Sequence, residues 1–249
     1  MANDEIERQR AWEKDGFFIV RRQAPPERVR ELAEACDHVL EQVRSTSSAQ
    51  GHLTTQVSGL LAPDYFVERP DVLTRLSTYM SSPEVLTLIQ SLGRTGEGHP
   101  NLRDTQYFHE PTARDYEGPW HRDGDGAGSN DVVVARPTLL RFRIAFAHDD
   151  HLEYVPGSHI RLDTPEERAL LKGTARNAPL TSGSIRIALE PGDVCVFDTW
   201  GIHRARYRRD CIRRTLDLLF GFGPRKRVDY APLLELVANF GTASVITRR

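Results

Sequence analysis

His121 and Asp123 stand two apart, and His203 lies 80 residues beyond Asp123; these are the residues whose types and spacing could do chemistry. Two imidazoles and one carboxylate make the facial ligand set that holds non-haem Fe(II) and leaves positions open for oxygen chemistry. Side chains two apart on an extended strand project from the same face, so His121 and Asp123 can reach one ion while Arg122 points away. His203 is then expected from a strand distant in sequence, as the opposite side of a barrel would supply. Arg214 follows 11 residues after His203, within Arg213-Arg214-Thr215-Leu216-Asp217-Leu218-Leu219-Phe220. That segment reads as a strand carrying a fixed cation suited to a two-pronged grip on a carboxylate. Alternation puts Arg214 with Leu216, Leu218 and Phe220, and Arg213 with Thr215 and Asp217. A cation on the apolar face is costly unless a bound anion compensates it. Arg214 is therefore expected to face the cavity and Arg213 the solvent.

Four stretches fall in one order: Pro119-Trp120-His121-Arg122-Asp123, Tyr154-Val155-Pro156-Gly157-Ser158-His159, 192–203 from Gly192-Asp193 to Ile202-His203, and then Arg214. In that order and spacing the chain resembles the phytanoyl-CoA dioxygenase family from about residue 16 to 222. The resemblance implies a double-stranded β-helix, Fe(II) held by His121, Asp123 and His203, 2-oxoglutarate as cosubstrate held by Arg214, and O2 as oxidant. It also implies oxidation of a substrate C–H bond, with succinate and CO2 as by-products. Ala205 stands where relatives often carry a hydroxyl residue, and His109 is the nearest counterpart of a lysine that relatives often place on the strand before the His-x-Asp. His109 and Trp200 are thus further candidates for the cosubstrate. Asp123 fills the position that is small in halogenases of this broad fold, so oxygenation is expected rather than chlorination.

These residues need a scaffold. Helical spacing is read over 5–14, from Pro25-Pro26 to about 43, and over 71–92 with a break at Ser82-Pro83. Strands are read at 17–20, 104–109, 139–146, 184–189, 194–198 and 213–220, separated by Gly- and Pro-bearing turns. Helices first and strands afterwards fit an α+β, mainly β layout: a jelly-roll or cupin-like barrel buttressed by N-terminal helices. A single domain over 1–249 is expected, with a helical part to about 95, a barrel at about 100–222 and a C-terminal extension at 223–249.

Charge and composition narrow the classes. Lys+Arg 33 against Asp+Glu 35 gives a net charge of -2, which does not favour nucleic acid. A charged N-terminus and the lack of any long apolar run argue against a signal peptide or membrane span, so the cytoplasm is the expected compartment. Three cysteines without C-x-x-C spacing indicate neither a disulfide framework nor a zinc knuckle. A zinc hydrolase on a similar barrel and a non-catalytic 2-oxoglutarate-binding barrel are the rival readings. The first leaves the arginine beyond His203 without a purpose.

The remaining signals concern the substrate. On 139–146, Arg141 and Arg143 share one face; if it lines the barrel, the substrate is a small polar or anionic metabolite. Within the family it resembles, so compact a chain is more similar to tailoring enzymes of specialised (antibiotic or natural-product) pathways than to lipid-CoA hydroxylases. Trp120, beside a metal ligand, is a candidate for the pocket wall. The glycine-rich 123–130 lacks an acidic residue at its twelfth position, Val134, so it reads as a flap and not a calcium loop. The basic run from Arg204 to Arg214 reads as a solvated loop, and the polar 45–50 as mobile.

Overall fold

The strands pair into two antiparallel sheets in the computed structural model, which describes residues 2–46, 56–94, 96–109, 115–123, 136–173, 176–180, 183–209 and 211–223. The expected flap after Asp123, most of 45–50 and nearly all of the C-terminal extension lie outside the described residues. In chain order the elements are α1 (Ala2–Asp15), β1 (Phe17–Val20), α2 (Pro26–Thr46), β2 (Gln56–Ser58), α3 (Pro70–Met80), α4 (Pro83–Ile89), β3 (Pro100–His109), β4 (Tyr116–Glu117), β5 (Leu139–Ala145), β6 (Asp149–Tyr154), α5 (Pro165–Lys172), β7 (Ile185–Leu189), β8 (Val194–Asp198), β9 (His203–Tyr207) and β10 (Arg214–Phe222). The larger sheet runs β1-β8-β5-β10-β3-β2 and the smaller β4-β9-β6-β7. This is the α+β, mainly β double-stranded β-helix, formed by two sheets and not one closed barrel.

Each strand of the larger sheet splits its residues between two environments, as the two-residue period requires. Leu140, Phe142 and Ile144 of β5, Val194 and Val196 of β8, and Leu216, Leu218 and Phe220 of β10 join one core with Leu32, Cys36 and Val39 of α2, Leu73 and Leu76 of α3, and Val85 and Ile89 of α4. Burying one such side chain contributes about 1.5–3 kcal/mol, so this face fixes the helices to the sheet. The alternate residues turn inward, and many are polar: Arg143, Thr215 and Asp217 are all buried. The apolar face is therefore the helix side and the polar face is the interior. That reverses the expectation drawn from alternation. A bound anion is not the only partner for an inward cation, because inward carboxylates compensate it.

Of the smaller sheet only β7 was legible as a strand. β6 reads Asp-Asp-His-Leu-Glu-Tyr and carries a bulge between Asp149 and Leu152, where one extra residue opposes β7. A bulge re-aims side chains, so strict alternation fails there. β9 is the arginine-rich segment expected to be a solvated loop. Arg204 is instead buried, with its Nε donating to Glu153 at 2.6 Å, while Arg206 and Arg208 pair with Glu117. At the junction of α1 and β1 the chain comes close to the second sheet. Gly16 has φ +82, and a Cβ there would stand 2.5 Å from the Tyr154 hydroxyl, so only glycine fits.

All three thiols are free. No helix among the described residues is long and apolar enough to cross a membrane.

Candidate metal centre

Strand pairing brings the two histidines together. His121 and His203 are directly opposite residues of an antiparallel bridge, exchanging both backbone bonds at 3.0 Å. Side chains of such a pair lie on one face of the sheet. His203 therefore reaches the site from the neighbouring strand and not from the far side of a barrel. Past this bridge the Asp123 amide donates to Thr199 O at 2.9 Å, and Asp123, two residues along, brings its carboxylate to the same site as both histidines. One ligand atom from each of the three residues lies within 4.8 Å of the others, the one such group of three found among the described residues.

The imidazoles are oriented by the backbone. His121 Nδ1–H donates to Pro119 O at 2.8 Å and His203 Nδ1–H to Gly201 O at 2.9 Å. With the proton held at Nδ1, each Nε2 turns its lone pair to Asp123 Oδ1, at 3.5 Å from His121 and 3.8 Å from His203. Burial, helped by the neighbouring His121, pushes the His203 imidazole down to about 3, so it stays neutral and able to bind a cation. Burial works to raise the Asp123 carboxyl, but its close contacts with the two imidazoles and the Arg141 guanidinium outweigh it and hold the group far below the ordinary range. The donor set, its mutual spacing and its protonation fit a divalent ion of the iron type.

Arg122, between the first two ligands, points the other way and anchors the turn. Its guanidinium donates to Trp200 O at 2.6 Å, Ser158 O at 3.2 Å and both oxygens of Asp163, the shorter at 2.6 Å. Both side chains of the Arg122–Asp163 pair are fully buried.

A cavity of about 330 Å³ opens on the three ligands, lined also by Gln56, Gln106, Phe108, Arg141, Arg143 and Tyr207, among others. From it a line of alternating charges runs into the interior. Asp123 accepts from Arg141 at 2.8 Å; Arg141 lies 3.9 Å from Asp217; Asp217 takes Arg143 at 2.7 Å; Arg143 lies 3.9 Å from Asp149, and Asp149 lies 3.5 Å from Arg213. Arg213 is fully buried between the rings of Phe108 (4.6 Å) and Tyr207 (4.7 Å), both of which line the cavity. None of its three guanidinium nitrogens has a hydrogen-bond partner, nor have Thr215 Oγ1 and His151 Nε2 nearby in the sheet interior. Buried polar groups are rarely left so, and the arrangement suits a bound carboxylate.

Several candidates lie elsewhere. Arg214 is half-buried on the helix side, where it pairs with Asp37 and donates to the Tyr107 hydroxyl at 3.0 Å. Its guanidinium is therefore turned away from the cavity on which the three ligands open. His109 shares that side with Tyr107, whereas Gln106 and Phe108 of the same strand face the cavity. Trp200 turns outward, its indole N–H donating to Pro137 O at 2.8 Å with Arg136 over the ring. Trp120 is core, packed with Val155, Leu171, Leu180 and Ile202, its N–H donating to Ala178 O at 2.9 Å. Arg143 does line the cavity, but two of its nitrogens are bound to Asp217. Asp149, His151 and Gln106 were missed: the bulge hides the first two, and a lone glutamine in a strand carries no signal.

A β-helix with a His-x-Asp and a distant histidine over one cavity defines the class of metal-dependent oxygenases. The chain belongs to the phytanoyl-CoA dioxygenase family, whose model matches residues 12–215, and it is a 2-oxoglutarate-dependent non-haem iron oxygenase. Iron and 2-oxoglutarate are accordingly its cofactor and cosubstrate. No curated protein matches the chain in sequence. Solved structures share the fold. AviO1 from Streptomyces viridochromogenes Tue57 is 18% identical with a TM-score of 0.62, over 88% of this chain and 95% of that one. SnoK, described as a non-heme alpha ketoglutarate dependent carbocyclase from nogalamycin biosynthesis, is 15% identical with a TM-score of 0.58, over 91% and 89%. EctD from S. alaskensis, solved with 2-oxoglutarate and 5-hydroxyectoine, is 17% identical with a TM-score of 0.60, over 90% and 81%.

Proposed function

We propose that this oxygenase oxidises a C–H bond of a small polar metabolite in the making of a specialised natural product, with His121, Asp123 and His203 holding Fe(II) and Arg213 receiving 2-oxoglutarate. The observation that carries the assignment is the buried Arg213 guanidinium without a hydrogen bond, beside the cavity on which the three ligands open. Iron bound there with 2-oxoglutarate and O2 supplies the oxidising power for attack on an unactivated C–H bond. The protein's own residues do the rest. Pro119 and Gly201 carbonyls keep the protons on Nδ1 so that both Nε2 atoms stay available. Arg213 receives the carboxylate far from the metal, with Thr215 as a second donor, and Phe108 and Tyr207 keep water from that pair. Support for a polar substrate comes from the polar lining of the cavity, Gln56 among it. Support for specialised metabolism comes from the nogalamycin enzyme's likeness in fold.

Two measurements test this. Calorimetric titration of 2-oxoglutarate into Co(II)-loaded protein should show Arg213→Met weakened by about tenfold to a hundredfold, the worth of one charge-assisted hydrogen bond. Arg214→Met should stay near the parent, and equal losses would refute the assignment. A panel of polar metabolites, scored by succinate release above background, should contain a substrate; stimulation confined to apolar acyl thioesters would overturn the substrate class.

A further inference from the structure

Arg141 is the cation nearest the ligand set, and its side chain is only 11% exposed. Its Nε–H donates to Asp123 Oδ2 at 2.8 Å, and its terminal nitrogen donates to Gln106 Oε1 at 2.6 Å. The same nitrogen stands 3.9 Å from Asp217, and Gln106 is itself fixed through Nε2 to Asp104 at 2.9 Å. The guanidinium is thus braced by β3 and β10 and is not poised as a free donor for substrate. Its effect on Asp123 is asymmetric. Oδ1 is the oxygen that faces both imidazoles, at 3.5 and 3.8 Å, while Oδ2 is drawn toward Arg141.

That asymmetry matters because a carboxylate can bind a metal through one oxygen or two. Two imidazoles and one oxygen leave three of six octahedral positions open, enough for a chelating 2-oxo acid and O2. A second oxygen from Asp123 would take one of the three. We propose that Arg141 is a positioning residue that keeps Asp123 a one-oxygen ligand, and so reserves the position that cosubstrate binding needs. The proposal rests on the reading that His121, Asp123 and His203 hold the metal. Gln106 is the brace that fixes the fork, and the planar guanidinium is what allows one side chain to serve both partners.

The test uses Co(II)-loaded protein, because the intensity of its visible bands reports coordination number and the ion does not turn over. In Arg141→Met the Co(II) affinity should stay within about tenfold of the parent, the lower end of what losing an outer-shell partner costs. The loaded variant's spectrum should change before any cosubstrate is added, and its affinity for 2-oxoglutarate should fall by a further factor of about ten or more. Gln106→Leu keeps the charge and removes the brace; it should show the same change, smaller. Unaltered 2-oxoglutarate affinity of the loaded Arg141→Met protein would overturn the proposal, as would a loss of Co(II) alone with the spectrum of the bound fraction unchanged. Should Arg141→Met fail to fold, Gln106→Leu decides by the same two readouts. His203→Ala separates this from the underlying reading: if it binds Co(II) as the parent does, the metal site itself is misassigned, whatever Arg141 does.

Discussion

Asp198 closes β8 four residues before the buried Ile202, and its carboxylate accepts the Trp200 amide at 2.8 Å. Burial pushes this carboxyl up to about 7. An unfolded aspartate titrates near ~3.9, so between that value and about 7 the folded state holds the proton more often than the unfolded one. The stability linked to it is present at low pH and is lost as pH rises through about 7. Asp198→Asn keeps an oxygen for the Trp200 amide and removes the titration. Its midpoint of thermal unfolding should therefore change less between pH 5 and pH 8 than the parent's does, by the slope that one raised carboxyl adds. An unchanged difference would mean that Asp198 is ionised at both values.

At the scale of elements, the centre is a joint between β9, the turn before the first two ligands and the loop after β6, and Arg122 is its pin. Its pair with Asp163 has no exposed side-chain surface, so removing one partner strands a charge. Arg122→Met should cost about 3–5 kcal/mol in chemical denaturation. Adding Asp163→Leu to it should recover part of that loss, since the uncompensated carboxylate disappears. Sequence pattern reached some of this layer and not the rest. The His-x-Asp pair, the strand for β10 and the paired faces of β5 were legible because types and period were sufficient. Which face of β10 lies inward was not, because both candidate faces carry an arginine. Apolar residues mark burial, and here the more apolar side is the one beneath α2 and α3. β6 and β9 escaped because a bulge breaks the period in one, and the arginines of the other are matched by Glu117 and Glu153 from distant segments. Pairings that distant leave no local trace.

The molecule as a whole is stitched by its first strand. β1 pairs along its length with β8, Phe17 opposite Phe197 and Val20 opposite Val194, although the two are separated by most of the chain. A growing polypeptide emerges in order, so β1 leaves the ribosome long before its partner exists. Until β8 arrives, β1 has no place in the larger sheet. The inner strands β5 and β10 are likewise completed late, with β10 the last strand among the described residues. The helices are made early but have no sheet to cover, and non-local closure of this kind is slow. Ribosome-held chains that stop short of β8 should therefore exchange the β1 amides rapidly, and chains extended past β10 should protect them. Early protection would mean that β1 docks on α1 alone. The interval has a cost: until the sheet closes, the apolar residues of α2 and α3 that it will cover stay open to contact with other chains.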